Sequence, residues 1–85
     1  MALPKPHTRE ESKLVKKQVT YAIARYAEQG INDSTRKDYL SREADQFHKL
    51  ILNGEKPSRR SEGLTKLFLA SLGLAVIDET LRRKY

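Results

Sequence analysis

Apolar residues recur with a helical period along most of this chain, and the pattern falls into three segments. In the first, Val15, Val19, Ala22, Ile23 and Tyr26 stand at i, i+4, i+7, i+8 and i+11, one stripe of a helix, with Lys13, Lys17 and Glu28 on the far side. Thr8 and Glu11 mark its start as a T-x-x-E capping box, in which the hydroxyl caps the first turn and the carboxylate reaches back. Gly30 followed by Ile31 ends it in the manner of a left-handed cap with an apolar residue folding back. Pro4 and Pro6 keep residues 1–7 extended, a flexible arm ahead of the helix.

The second segment opens with "NDST", residues 32–35, where Asp33 and Ser34 are the foremost N-cap candidates. Leu40, Ala44, Phe47 and Ile51 form its stripe. Asp38, Arg42, Asp45 and Lys49 lie opposite, with signs that can pair at i, i+3 or i+4. Gly54 stops the helix, and residues 54–61 make a polar connector whose Pro57 cannot sit inside one.

The third segment predicts a helix from Ser58 or Ser61 to about Arg83. Leu64, Leu67, Phe68, Ser71, Leu72 and Ala75 make an inner face, while Leu69, Leu74, Val76 and Ile77 fall on the other sides. Between Lys66 and Asp78 run eleven residues without an ionisable group, short of the roughly 20 that cross a bilayer. The run has no strongly polar face to lie on a membrane surface either. It therefore belongs to the core, and two slim helices can cover one side of it. The remainder, around Leu69, Leu74, Val76 and Ile77, is expected to pack on a second protomer or a protein partner. Gly73, which costs about 1 kcal/mol against alanine in a helix, either admits another backbone or divides the helix in two; a single helix is the preferred reading. A strand over this run is set aside for want of a second strand. The fold expected is all-α: one domain over residues 1–85, a small three-helix bundle that forms a homodimer through its third helix.

Composition narrows the function. Seventeen Lys and Arg against eleven Asp and Glu give a net charge of +6, which favours nucleic acid or an acidic protein as partner. The absence of cysteine removes disulfide scaffolds, thiolate zinc sites and cysteine nucleophiles. "MALPKPHTREESK" has no apolar leader segment, so a cytoplasmic location is expected. His7 lies in the arm, and His48, beside the second stripe, reads as a half-buried structural residue. Asp38, Asp45, Asp78 and Glu79 have no spacing that suggests a metal or an acid–base pair, and there is no glycine-rich phosphate loop or Gly-x-Ser-x-Gly elbow. No catalytic residue, metal, cofactor or small-molecule substrate is expected.

Three stretches resemble known motifs. "READQFH", Arg42 to His48, resembles the Arg-x(4–6)-His spacing of HEPN-type ribonucleases, which would imply RNA cleavage at a dimer interface; Glu43 stands where those domains carry Asn, Asp or His. "AEQGINDSTRKDYL" resembles the turn and recognition helix of a helix-turn-helix, with the alanine-to-glycine spacing one residue short and Arg36 in a hydrophobic position. "INDSTRKDYLSREADQFHKLI" is similar to the S-x-x-T-x-x-x-Y-x-x-x-L-x-x-F rhythm of the core-binding domain of tyrosine recombinases. An ordinary capped amphipathic helix accounts for all three stretches, and they assign no family.

Chain direction arranges the basic residues better than motifs do. Helices running up, down and up bring Lys5, Arg9, Lys56, Arg59 and Arg60 to one end of the bundle. Arg36, Lys37, Arg82, Arg83 and Lys84 gather at the other, offset by Asp33, Asp78 and Glu79. The expectation is a non-enzymatic accessory or regulatory protein that binds nucleic acid through phosphate contacts, Arg59 and Arg60 first, then Lys5, Arg9 and Lys56. The alternative is an interaction module of antitoxin, immunity, inhibitor or adaptor type, whose third helix and positive charge meet an acidic protein.

Overall fold

A computed structural model describes residues 8–84; residues 1–7, the expected arm with Lys5, lie outside them, as does Tyr85. Three helices follow in order: α1 (Arg9–Gln29), α2 (Arg36–Leu52) and α3 (Arg59–Lys84), with no strand among the described residues. Both halves of the capping box form at the start of α1. The Thr8 hydroxyl accepts from the Glu11 backbone N–H at 3.1 Å, and the Glu11 carboxylate accepts from that of Thr8 at 3.3 Å. Gly30 ends α1 at φ 58°, the left-handed cap expected of it.

The start of α2 departs from expectation. Asn32, not Asp33 or Ser34, organises the turn: its side-chain oxygen accepts from the Ser34 hydroxyl at 2.7 Å and the Thr35 N–H at 3.1 Å. An asparagine that closes a turn on itself takes the Thr35 N–H, a donor that a cap at Asp33 would have used. The helix begins at Arg36, after a Thr35 that makes no side-chain cap bond. Its end falls at Asn53 (φ 42°), one residue ahead of the expected Gly54. At α3, Ser58 and Ser61 exchange bonds, each hydroxyl accepting from the other's N–H at 2.9 and 3.2 Å. The helix then runs unbroken through Gly73 for 26 residues, or about 39 Å at 1.5 Å per residue, which matches the molecule's 40 Å long dimension.

Helix α3 packs extensively on both α1 and α2, which meet each other over less surface. The core is Val15, Ala22, Tyr26, Tyr39, Phe47, Leu64, Phe68, Leu72 and Val76. Phe47 stacks on Phe68 with centroids 4.3 Å apart, and Tyr26 meets Tyr39 edge-on at 5.5 Å. The buried hydroxyls are satisfied across helices, Tyr39 donating to the Ala22 carbonyl and Tyr26 lying 3.0 Å from Thr80 Oγ1. Burial, with the nearby Glu43 charge adding to it, pushes the Tyr39 phenol up to about 12. The expected chain directions hold: Glu11 meets Arg60 at one end of the α1–α3 pair, and the Ala27 carbonyl accepts from Arg83 at 2.8 Å at the other.

Val76 needs correction. Expected on the outer surface, it is fully buried, because it stands one turn beyond Leu72 on the same inward face. Leu69, Leu74 and Ile77 are exposed, and Leu81 joins them. His48 is half-buried, its Nδ1 2.9 Å from Thr65 Oγ1, the structural role expected of it. No helix of the described residues is long and apolar enough to cross a membrane.

Candidate nucleic-acid interface

The two ends of the bundle gather the expected basic residues, but acidic groups hold several of them. Arg60 is bound by Glu11, its Nε donating to Oε2 at 3.1 Å and its terminal nitrogen to Oε1. That guanidinium, more than any other cause, holds the Glu11 carboxyl down to about 2, with bonds from Thr8 helping and burial opposing. Arg9, Lys56 and Arg59 stay exposed at this end, among the exposed Glu10, Glu55 and Glu62. At the far end Arg82 pairs with Asp78 at 3.1 Å, Arg83 with Glu79 at 3.5 Å and Lys84 with Asp33 at 3.5 Å. Acidic groups thus answer much of the positive charge at either end, although Arg36 and Lys37 at the far end form no ion pair among the described residues.

The outward side of α1 is different. Arg9, Lys13, Lys16, Lys17 and Thr20, at i, i+4, i+7, i+8 and i+11, are all exposed on one stripe. None of the four cations forms a salt bridge among the described residues, although Arg25, Arg60, Arg82, Arg83 and Lys84 all do. Lys13, Lys16, Lys17, Thr20, Tyr21 and Ala24 line one shallow depression along the helix. Arg9 to Lys17 spans about 12 Å at the helical rise, room for three or four phosphates of a strand that advances about 3.4 Å per nucleotide.

Tyr21 closes the stripe, 59% exposed, with the Arg25 guanidinium carbon 4.6 Å from its ring centroid. Arg25 is fixed from the other side by Glu43, which is buried. The cation over the ring is therefore anchored across α1 and α2, and the aromatic surface is held in place beside the lysines.

Of the expected site residues, Arg9 lies on this stripe, Lys56 and Arg59 are free but in mixed charge, and Arg60 is engaged by Glu11. From sequence, Lys13 and Lys17 fall only on the far side of the first helix, and Lys16 is not singled out. Their spacing with Arg9 at i, i+4, i+7 and i+8, a stripe flanked by the single acid Glu10, was the signal that could have singled them out. Arg42 and His48, six residues apart on α2, project about 120° apart around its axis, which does not bring the ribonuclease-like pair together. Among the described residues no group of His, Asp and Glu is placed to hold a metal ion. No protein-family model, curated protein or solved structure matches the chain.

Proposed function

We propose that this protein is a non-enzymatic nucleic-acid-binding factor that works as a dimer, laying the outer face of α1 along a phosphate backbone. One observation carries the reading: Arg9, Lys13, Lys16 and Lys17 share one exposed stripe of α1 and form no ion pair among the described residues, whereas the three cations at the end of α3 are all paired. Phosphate contacts of this kind position a protein without reading bases, so affinity should vary little among unrelated sequences. Tyr21 at the end of the stripe adds a surface on which an unpaired base can stack, a contact that single strands offer and duplexes do not. The dimer is supported by the exposed apolar face of α3, where Leu74, Ile77 and Leu81 are 71, 46 and 51% exposed.

The site is tested by comparing two double variants at low salt in a fluorescence-anisotropy titration. Lys13→Ala/Lys17→Ala should weaken binding to any oligonucleotide at least tenfold, while Lys56→Ala/Arg59→Ala should change it by less than threefold. The reverse order would move the interface to the end of the bundle. Tight binding to an acidic protein with no binding to DNA or RNA would give the same stripe to a protein partner.

A further inference from the structure

The outer face of α3 is asymmetric along its length. At 100° per residue, Gly63, Ala70, Leu74, Ile77 and Leu81 fall on one strip about 60° wide, opposite the face that carries Phe68 into the core. The N-terminal half of this strip is small, Gly63 and Ala70; the C-terminal half is large, Leu74, Ile77 and Leu81. Gly63, Ala70 and Ile77 are seven residues apart, as are Leu74 and Leu81, the repeat that lets one helix wind along another.

The glycines have no explanation within the chain. A Cβ at Gly63 or Gly73 would meet nothing within 4 Å, although glycine is the poorest helix former after proline. Alanine would fit both positions in the isolated protomer. What a glycine provides there is access for something outside it.

We infer that α3 pairs with α3 of a second copy in antiparallel direction, about a two-fold axis between Leu72 and Gly73. This rests on the dimer reading above and adds its geometry. In that register Leu74 comes within one residue of level with the partner's Ala70 and Leu81 with the partner's Gly63, while Gly73 lies near the partner's Gly73 on the flank of the strip, about 70° from its centre. Each large half fills the space left by a small half. Charge agrees: Glu62 and Lys84 fall within one residue of level across that axis and lie on the same side of the strip, so each acid comes within reach of the partner's lysine. Lys84 is available for this, since its 3.5 Å pair with Asp33 has both side chains more than half exposed. A parallel pairing would stack Leu74 on the partner's Leu74, leave a gap at Gly63 and Ala70, and set Glu62 against the partner's Glu62. The strip from Gly63 to Leu81 is about 27 Å long and about 10 Å wide, small for a specific interface, so weak, concentration-dependent association is expected.

The chain has no cysteine, so single cysteines report the register without background. Gly63→Cys and Leu81→Cys variants, alone and mixed, are treated with a short bifunctional maleimide after light scattering has given the mass of each sample. Cross-linked dimer in the mixture, with little in either variant alone, is the expected result. Cross-linking of each variant to itself would show a parallel pair and overturn the register while leaving the dimer. Dimeric mass with no cross-linking in any sample would place the contact elsewhere and overturn it too. A monomer up to millimolar concentration would overturn the dimer itself, leaving nucleic-acid binding to be judged separately.

Discussion

Replacing Arg25 by leucine should be among the most damaging single changes to the described fold. The Glu43 side chain is 9% exposed and that of Arg25 31%, so the substitution leaves a carboxylate in the core with no counter-charge. Removing one partner of a buried pair costs about 3–5 kcal/mol, and the partial exposure of Arg25 puts this case near the bottom of that range, about 3 kcal/mol. Eighty-five residues support a total stability of roughly 4–13 kcal/mol, so the loss is a large share of it. In urea, with a slope of about 2 kcal/mol/M, the midpoint followed by helical circular dichroism should fall by about 1.5 M. Glu43→Gln should cost less, about 1 kcal/mol, because the outer edge of Arg25 stays in water. Replacing both residues by leucine should bring stability back to within about 1 kcal/mol of the wild type. The pair is imperfect to begin with, since Arg25 Nε is buried without a hydrogen-bond partner among the described residues. If Arg25→Leu unfolds within about 0.5 kcal/mol of the wild type, or the double variant loses the sum of the single losses, the pair does not hold α1 to α2 as described.

Other substitutions separate the remaining contributions. Thr8→Ala should cost about 1 kcal/mol in the same unfolding assay by removing the cap of α1. Because the Glu11 carboxyl is held at about 2, below its ordinary 4.5, its contribution is present above pH 4.5 and lost as pH falls towards 2; an acid titration of Glu11→Gln should lack that fall. Tyr39 is raised from 10.0 to about 12, so its contribution is whole below pH 10 and lost as pH rises to 12, and Tyr39→Phe should show no such loss. On α3, Leu72→Ala should cost about 3 kcal/mol by opening a cavity, while Leu74→Ala in the dilute protomer should cost less than about 0.5 kcal/mol. Similar losses at the two positions would mean that the inner and outer faces have been misplaced.

Where local chemistry decides, the sequence was sufficient. The T-x-x-E box, the stripe from Val15 to Tyr26 and the left-handed cap at Gly30 depend on residues a few positions apart, and all three are found. The inward face of α2 was legible in part, because Phe47 was expected inside but Tyr39 and Glu43 were not. Glu43 disguises the face: an acid reads as surface unless its partner is known, and Arg25 lies 18 residues away. Val76 was misread because α3 is apolar on every side and its pattern alone points in no direction. The candidate interface was missed for a different reason. Net charge and chain direction drew attention to the bundle ends, but whether a cation is free depends on which acids fold beside it. Arg60 is held and Lys13 is not, a difference that arises only when α3 meets α1.

The measurement that bears most directly on the cationic stripe is the salt dependence of duplex binding. Four phosphate contacts give a slope of about −3.6 for the logarithm of the affinity against that of salt concentration, or about a 150-fold loss between 50 and 200 mM. Removing Lys13 and Lys17 should reduce that slope to about −1.8. A wild-type protein that fails to bind at low salt, or a slope unchanged by the double substitution, would contradict a phosphate-binding role for the outer face of α1.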